Sequence, residues 1–239
     1  MLKFNQVSVQ FSSLKNPILS NITYQVNKGD FVVILGSNGS GKSSLLKLID
    51  RTYQPTNGDI QLDNKPLKNF PNKKLSQKIV TLTQDYHKSL FCSLTVWENC
   101  LLAQERHKNN FTKDYFVDYL NQYNPNLSKK FSILTNELSG GEKQALALAL
   151  SVLQPPEILL LDEHTSSLDP QTAQVLMDIT ARVIKDKNMT CLMTTHDLDI
   201  ALQYGNRILV LQHGQILHCY EAENKVKLTH QLLLESCYS

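Results

Sequence analysis

Gly36-Ser37-Asn38-Gly39-Ser40-Gly41-Lys42-Ser43 matches G-x-x-x-x-G-K-[ST], the pattern of a phosphate-binding loop. The residues before it, Phe31-Val-Val-Ile-Leu35, read as a buried strand, and those after it, from Lys42 to Ile49, as the opening of a helix. Strand, loop and helix in that order are the setting the motif needs. Glycines let the backbone bend so that successive N–H groups point at an anion. The helix that follows presents its positive dipole end to the same anion. In such a loop Lys42 suits the β- and γ-phosphates and the Ser43 hydroxyl suits Mg²⁺. By itself the loop predicts a bound nucleoside triphosphate and leaves open what its energy is used for.

A second stretch bears on the same chemistry. Ile158-Leu-Leu-Leu-Asp162-Glu163 is an apolar strand ending in two adjacent carboxylates. A buried strand delivers its last residues to the sheet edge where ligands sit. Successive side chains point differently there, so the acids can take different tasks. Asp162 suits Mg²⁺, directly or through water, and Glu163 suits orientation and deprotonation of an attacking water.

Around these stretches the pattern alternates. Leu2–Phe11 reads as a strand, and Gly58–Asp63, followed by Asn64, as a hairpin arm with an Asp-Asn turn. Lys78–Thr83 reads as a strand ending at Gln84. From Asp85 to Gln154 the pattern is helical, with helices expected over Thr95–Gln104, Thr112–Tyr123 and Ser139–Leu153 and a break at Asn121–Asn126. Strands return at Glu157–Leu161 and Met189–Thr194. Asp169-Pro170 opens a long helix, with Asp as cap and Pro first. Leu198–Tyr204 reads as a helix closed by Gly205, Arg207–Leu211 and Gln215–Leu217 as a hairpin about His213-Gly214, and Thr229–Ser236 as a last helix. Strands interleaved with helices predict an α/β core with a parallel sheet, interrupted by an inserted helical subdomain. The expected division is a core over 1–84 and 155–239 and a helical subdomain over 85–154, within one domain of 1–239.

Composition narrows the class. The net charge of +2 gives no electrostatic support to a nucleic-acid partner. No apolar run approaches the roughly 18–20 residues that span a bilayer, and the N-terminus lacks the pattern of a signal peptide. A cytoplasmic location is expected, with any membrane association peripheral. The five cysteines are odd in number and widely spaced, without a zinc pattern, and read as free thiols.

Leu138-Ser139-Gly140-Gly141-Glu142 decides the family. Ser139-x-x-Glu142 is a capping box for the helix that follows, and the two glycines expose N–H groups at a positive helix end. With the phosphate loop and the Asp162 strand in order, the chain resembles the ATP-binding subunit of ABC transporters over essentially its whole length. The resemblance implies a P-loop NTPase (RecA-like) core with an N-terminal antiparallel β region. It implies ATP and Mg²⁺ as cofactors. It also implies a head-to-tail homodimer, in which Ser139, Gly140 and Gly141 of one copy meet the γ-phosphate of an ATP held by the other. Further roles follow from it alone. Phe11 would stack on adenine and Ser44 would join the phosphate loop. Gln84 would be a Mg²⁺ and water ligand that senses the membrane partner. Asp169, in Ser167-Leu-Asp169, would cross the dimer interface, and His196 would contact the γ-phosphate. Lys42, Glu163 and His196 form the implied catalytic set. Ser43, Gln84 and Asp162 form the metal set. The stretch Ser89–Asn99, with Phe91 and Trp97, would receive an integral membrane permease at the inner face of the cell membrane.

The chain departs from the common pattern at two places. Glu142 stands where Gln is commonest and adds a negative charge near an incoming γ-phosphate, which predicts a weaker ATP-bound dimer. His164 stands where Pro is usual. The run Asp162-Glu-His-Thr, with Leu168-Asp-Pro170 and Gly205-Asn-Arg207, resembles one bacterial importer branch often linked to extracytoplasmic substrate-binding proteins for amino acids. Two rival readings use the same motifs: a soluble ABC ATPase of a non-transport assembly system, and an ATP-binding regulatory module that does not hydrolyse. Intact Lys42, Glu163 and His196 argue against the latter.

Overall fold

The computed structural model describes residues 1–11, 15–106, 110–221, 225 and 228–238. They form two compact units. The first takes Met1–Thr81, Glu157–Glu163 and Asn188–Ser239. Its antiparallel sheet contains β1 (Leu2–Val9), β2 (Leu19–Val26), β4 (Asn57–Leu62) and β5 (Lys65–Pro66), in the order β2-β1-β4-β5. The expected Asp-Asn turn joins β4 to β5, with Asp63 and Asn64 both left-handed at φ 50° and 62°. That conformation matches the twist of a two-residue hairpin.

A six-stranded sheet adds β3 (Phe31–Leu35), β6 (Ile79–Thr83), β7 (Ile158–Asp162), β8 (Thr190–Thr194), β9 (Arg207–Gln212) and β10 (Gln215–Tyr220). Its order is β10-β9-β3-β8-β7-β6. β3 runs parallel to β8 and β9, β7 runs parallel to β8, and β10 returns antiparallel to β9. β3 and β8 are buried at every position, as expected of parallel strands covered on both faces. Alternate residues Val32, Ile34, Ile158, Leu160, Leu192, Leu209 and Leu211 share one core with Leu2, Phe4 and Ile60 of the antiparallel sheet and with Leu45, Leu46 and Ile49 of α1 (Lys42–Ile49). The period of two along each strand selects that face.

The second unit takes Leu82–Pro156 and His164–Lys187. It holds α3 (Val96–Arg106), α4 (Lys113–Asn121), α5 (Gly140–Ser151) and α6 (Pro170–Asp186). α5 is buried from Gln144 to Leu150 and packs against α3, α4 and α6. In the same unit the aromatic residues Trp97, Phe111, Phe116 and Phe131 meet one another edge to face. The Tyr119 hydroxyl donates to Ala149 O at 2.7 Å, which satisfies a buried polar tip. Asp169 caps α6 by accepting from Thr172 N, with Pro170 first in the helix, as its sequence predicts.

Among the described residues, β2 and α2 (Asn72–Lys78) have no counterpart in the sequence reading. β2 escapes alternation because its register against β1 shifts twice and Asn21 is left-handed at φ 52°. α2 buries only Leu75, so it carries no helical stripe. Helix α7 (Leu198–Tyr204) does stop at Gly205, but not through a left-handed cap. Gly205 is extended at φ −66°, ψ 143°. It is glycine because a Cβ there would lie 2.6 Å from Val33 Cγ2. The last helix, α8, spans His230–Tyr238.

His164 is buried, and its Nε2 has no hydrogen-bond partner. Burial pushes the imidazole down to about 4 from its ordinary 6.5. A folded-state value below the unfolded one gives stability that is whole above about pH 6.5 and is lost as pH falls toward 4. Wild-type unfolding free energy should therefore drop by about 2 kcal/mol more between pH 7 and pH 5 than that of His164→Gln, which cannot titrate there. Parallel urea melts of the two proteins at each pH check this, and equal pH dependence would remove His164 from the account.

Candidate functional site

The first unit gathers the phosphate loop and both carboxylates. Gly36 leaves β3 at φ 154°, and a Cβ there would lie 2.2 Å from Leu211 O of β9 and 2.6 Å from Ser40 Oγ. Only glycine permits so close a pass. The loop ends at Gly41, which precedes α1 without any side-chain cap, and no acidic residue stands in the first turn of α1. The first amides of a helix have no intrahelical acceptor. Here they are left for an external anion. Ser40 Oγ is buried with no partner, an orphaned donor of the kind a bound anion satisfies.

Lys42 is 5% exposed and lies over the loop, its Nζ donating to Gly36 O at 2.9 Å and Ser37 O at 3.2 Å. The same ammonium is 3.6 Å from Glu163 Oε1. A buried ammonium held by carbonyls, beside amides without acceptors, fits a polyphosphate.

Asp162 ends β7 opposite Thr194 of β8. Its Oδ1 accepts from Ser43 Oγ at 2.8 Å and from Thr194 Oγ1 at 2.7 Å. Ser43 and Asp162 together supply two hard oxygen ligands. Among the described residues there is no cluster of three or more His, Cys, Asp or Glu for a metal. The pair therefore fits Mg²⁺, which keeps waters and phosphate oxygens in its shell, and not an ion that needs an all-protein cage.

Glu163 turns out of the strand at φ 50°, left-handed for a residue with a side chain. Its N–H is held by Thr194 O at 3.2 Å and Thr194 Oγ1 at 3.1 Å. Strained backbone of this kind persists where surrounding bonds over-determine it. Glu163 Oε1 lies 3.9 Å from Nδ1 of the exposed His196, which follows β8. Lys42, Ser43, Asp162, Glu163 and His196 thus converge. Thr194 touches both carboxylate residues and was absent from the predicted set. Its place at the end of a buried strand gave no separate signal.

Phe11 is part-exposed and meets Tyr53 edge to face, ring centroids 5.0 Å apart. Tyr53 is a second aromatic there that the motif reading missed. Ser44 is the third residue of α1.

The remaining predicted residues belong to the second unit. Gln84 is exposed in the bend after β6, and its carbonyl accepts from Gln144 Nε2 at 3.1 Å. Ser139 forms the expected capping box with Glu142 at the start of α5. Gly141 is fixed by packing, because a Cβ would lie 2.4 Å from Thr172 Cγ2 of α6. Asp169 accepts from Thr172 N, and hydrogen bonds from the Thr172 side chain and then from its N–H hold the Asp169 carboxyl below the usual carboxylate range. The charge on Glu142 does not stand alone. Its Oε1 accepts from Lys130 Nζ at 2.6 Å. Trp97 packs against Phe116 and Phe131, while Phe91 is 52% exposed. Buried Asn99 holds the loop around Phe91, accepting from Phe91 N at 2.9 Å and donating to Phe91 O and Thr95 O at 3.0 Å.

Known proteins share this architecture. A family model described as ABC transporter matches residues 19–166. The chain is 35% identical, over 98% of its own length and 98% of the other, to a tyrosine transport ATP-binding protein of Clostridioides difficile (strain R20291). Among solved structures, a dimeric post-hydrolysis state of the ATP-binding cassette MJ0796 bound to ADP and Pi superposes with a TM-score of 0.79 at 26% identity, covering 93% of this chain and 99% of that one. CbiO1 from Clostridium perfringens, part of the ABC transporter complex cbiONQ, superposes with a TM-score of 0.81 at 25% identity, covering 98% and 92%.

Thr194→Val would leave Asp162 with Ser43 as its one hydroxyl donor and would free the Glu163 amide from Oγ1. A lost hydrogen bond to a charged group costs about 1.5–3 kcal/mol, so ATP turnover should fall roughly ten- to hundred-fold. The Mg²⁺ concentration for half-maximal rate should rise. Thr194→Ser, which keeps the hydroxyl, should stay near wild type. A magnesium titration of the three proteins measures both quantities.

Proposed function

Because the chain belongs to the ABC transporter family, as an ATP-binding subunit that hydrolyses ATP, we propose that it energises import of a small solute, such as an amino acid, through a separate integral membrane permease. The observation that carries the reading is the convergence of Lys42, Ser43, Asp162, Glu163 and His196 at one sheet edge. A regulatory module that only binds ATP has no use for a carboxylate and an imidazole beside the loop lysine. Among the described residues no helix is long and apolar enough to cross a membrane, so the reading supplies the pore from another chain at the cytoplasmic face. The similarity to a tyrosine transport protein supports an amino acid as cargo, and an extracytoplasmic binding protein would deliver it. The exposed Phe91 ring, on a loop pinned by Asn99, supports Ser89–Asn99 as the place where the permease docks.

In this reading the bound MgATP supplies the phosphoanhydride. The first-turn amides of α1 and the Lys42 ammonium bind its phosphates, and Ser43 and Asp162 would hold a Mg²⁺, which would supply positive charge to offset that of the phosphates. Phe11 offers a ring face to the adenine. Glu163 orients a water and takes its proton as the water oxygen bonds to the γ-phosphorus and the bond to the β-phosphate oxygen breaks. His196 steadies the γ-phosphate. Charge that builds on the equatorial oxygens then meets preorganised donors. Ser139, Gly140, Gly141 and Asp169 of a second copy complete the enclosure, so that two nucleotides are held by two chains.

Glu163→Gln should abolish turnover and accumulate an ATP-bound dimer. Phosphate release and size-exclusion chromatography with MgATP read both. Turnover by Glu163→Gln at the wild-type rate would dismiss Glu163 as the base. An ATPase that no permease or transported solute ever stimulates would dismiss the transport reading.

A further inference from the structure

Glu142 is a puzzle on the reading above, since an anion at the start of α5 opposes the approach of another anion. Its side chain is buried and spends both oxygens. Oε2 accepts from Ser139 N at 3.0 Å, and Oε1 accepts from Lys130 Nζ at 2.6 Å. In return Glu142 N donates to Ser139 Oγ at 3.3 Å. Burial alone would push the Glu142 carboxyl up, but the bonds from Lys130 and Ser139 outweigh it and hold the group below its usual range, ionised at neutral pH.

A carboxylate in the first turn stabilises a helix by answering its positive end. For the same reason it cancels the field that an incoming phosphate would feel. Lys130 closes the 3-10 turn Leu127–Lys130, upstream of the signature. Its side chain is only partly exposed, and its charge offsets that of Glu142. The capping box occupies the N–H groups of Ser139 and Glu142. Those of Gly140 and Gly141, which have no intrahelical acceptor, remain at exposed and half-exposed positions.

We propose that Lys130 is a positioning residue of the composite ATP site: it neutralises Glu142 and pins its carboxylate in the capping box, so that Gly140 and Gly141 can meet the γ-phosphate held by a second protomer. The proposal rests on the dimeric reading given above and adds a residue to it that no motif contains. Lys130 acts through Glu142 and need not touch the nucleotide. Its effect should therefore vanish when Glu142 carries no charge.

The test is a double-mutant cycle on the full chain, read by steady-state ATPase kinetics. Lys130→Met should raise the half-saturating ATP concentration about 3- to 10-fold with kcat changed less than about two-fold. Lys130→Arg should restore the wild-type value. In a Glu142→Gln background, Lys130→Met should shift half-saturation by less than about two-fold. Should Lys130→Met melt at assay temperature, Lys130→Gln takes its place in both backgrounds. A silent Lys130→Met overturns the proposal. Equal shifts in both backgrounds also overturn it, because they assign Lys130 a direct charge effect or a general packing role. The dimeric reading is judged separately. If Glu163→Gln with Lys130 and Glu142 intact forms no dimer in ATP, that reading fails, whatever the cycle returns.

Discussion

Asp162 Oδ1 accepts a hydrogen bond from Ser43 at 2.8 Å and one from Thr194 at 2.7 Å, and these two bonds tie α1, β7 and β8 at a single atom. Each partner comes from a different part of the chain. The register of β7 on β8 sets Asp162 opposite Thr194, and the phosphate loop brings Ser43 to the same point. Because side chains alternate with period two, a slip of one residue in that register would turn Asp162 to the other face of the sheet. It would also strand the left-handed Glu163, whose N–H depends on Thr194 O and Oγ1. The carboxylate pair is therefore only as well placed as the β7–β8 register, and that register is fixed by strands buried over almost their whole length.

The opposite end of the sheet shows what holds β3 and β9 while their other ends stay open for chemistry. Asn206 Oδ1 accepts from Phe31 N at 2.8 Å, and Asn206 N donates to Phe31 O at 2.9 Å. Arg207 donates to Asp30 Oδ2 at 2.6 Å and to Gln25 O at 2.9 Å, pairs with Glu221, and lies over the Tyr24 ring. With Gly205 packed on Val33, the run Gly205-Asn-Arg207 is a clamp on the start of β3. It needs no role in ligand binding. Its three residues are each demanded by a different contact.

Residues whose chemistry depends on immediate neighbours were legible. The phosphate loop, the Asp-Asn turn, the capping box at Ser139 and the cap at Asp169 are local devices, and the structure builds each where the sequence puts it. What escaped depends on distant partners. Thr194 is one more β-branched residue until Asp162 stands beside it. Tyr53 becomes an aromatic neighbour of Phe11 only once the chain folds. β2 is hidden by its bulges and α2 by its polar faces, because periodicity registers only elements with one regular buried side. Lys130 and Glu142 are far enough apart in sequence that no helical or strand period links them, and the departure at Glu142 looked like an isolated charge.

The chain presents two helix starts suited to phosphate, and they are built to different strengths. α1 begins with no side-chain cap and no acidic residue, beside a buried ammonium and an unpartnered Ser40 hydroxyl. The first-turn amides there meet no side-chain cap, and the Lys42 ammonium, though it also faces Glu163, stands beside them. α5 begins with its cap in place and with an acid whose charge is offset. Fewer amides remain, and the local charge is close to zero. A start of the first kind can hold a triphosphate without help. A start of the second kind suits a second, weaker contact to a phosphate that is already held. On the proposed dimeric reading that inequality has a purpose. A nucleotide would stay with the chain whose loop cradles it, while the weaker second contact makes and breaks with each turnover. Two equally strong ends would hold the pair of chains shut after hydrolysis, so in the proposed dimer a neutralised start of α5 would let one site both close and reopen.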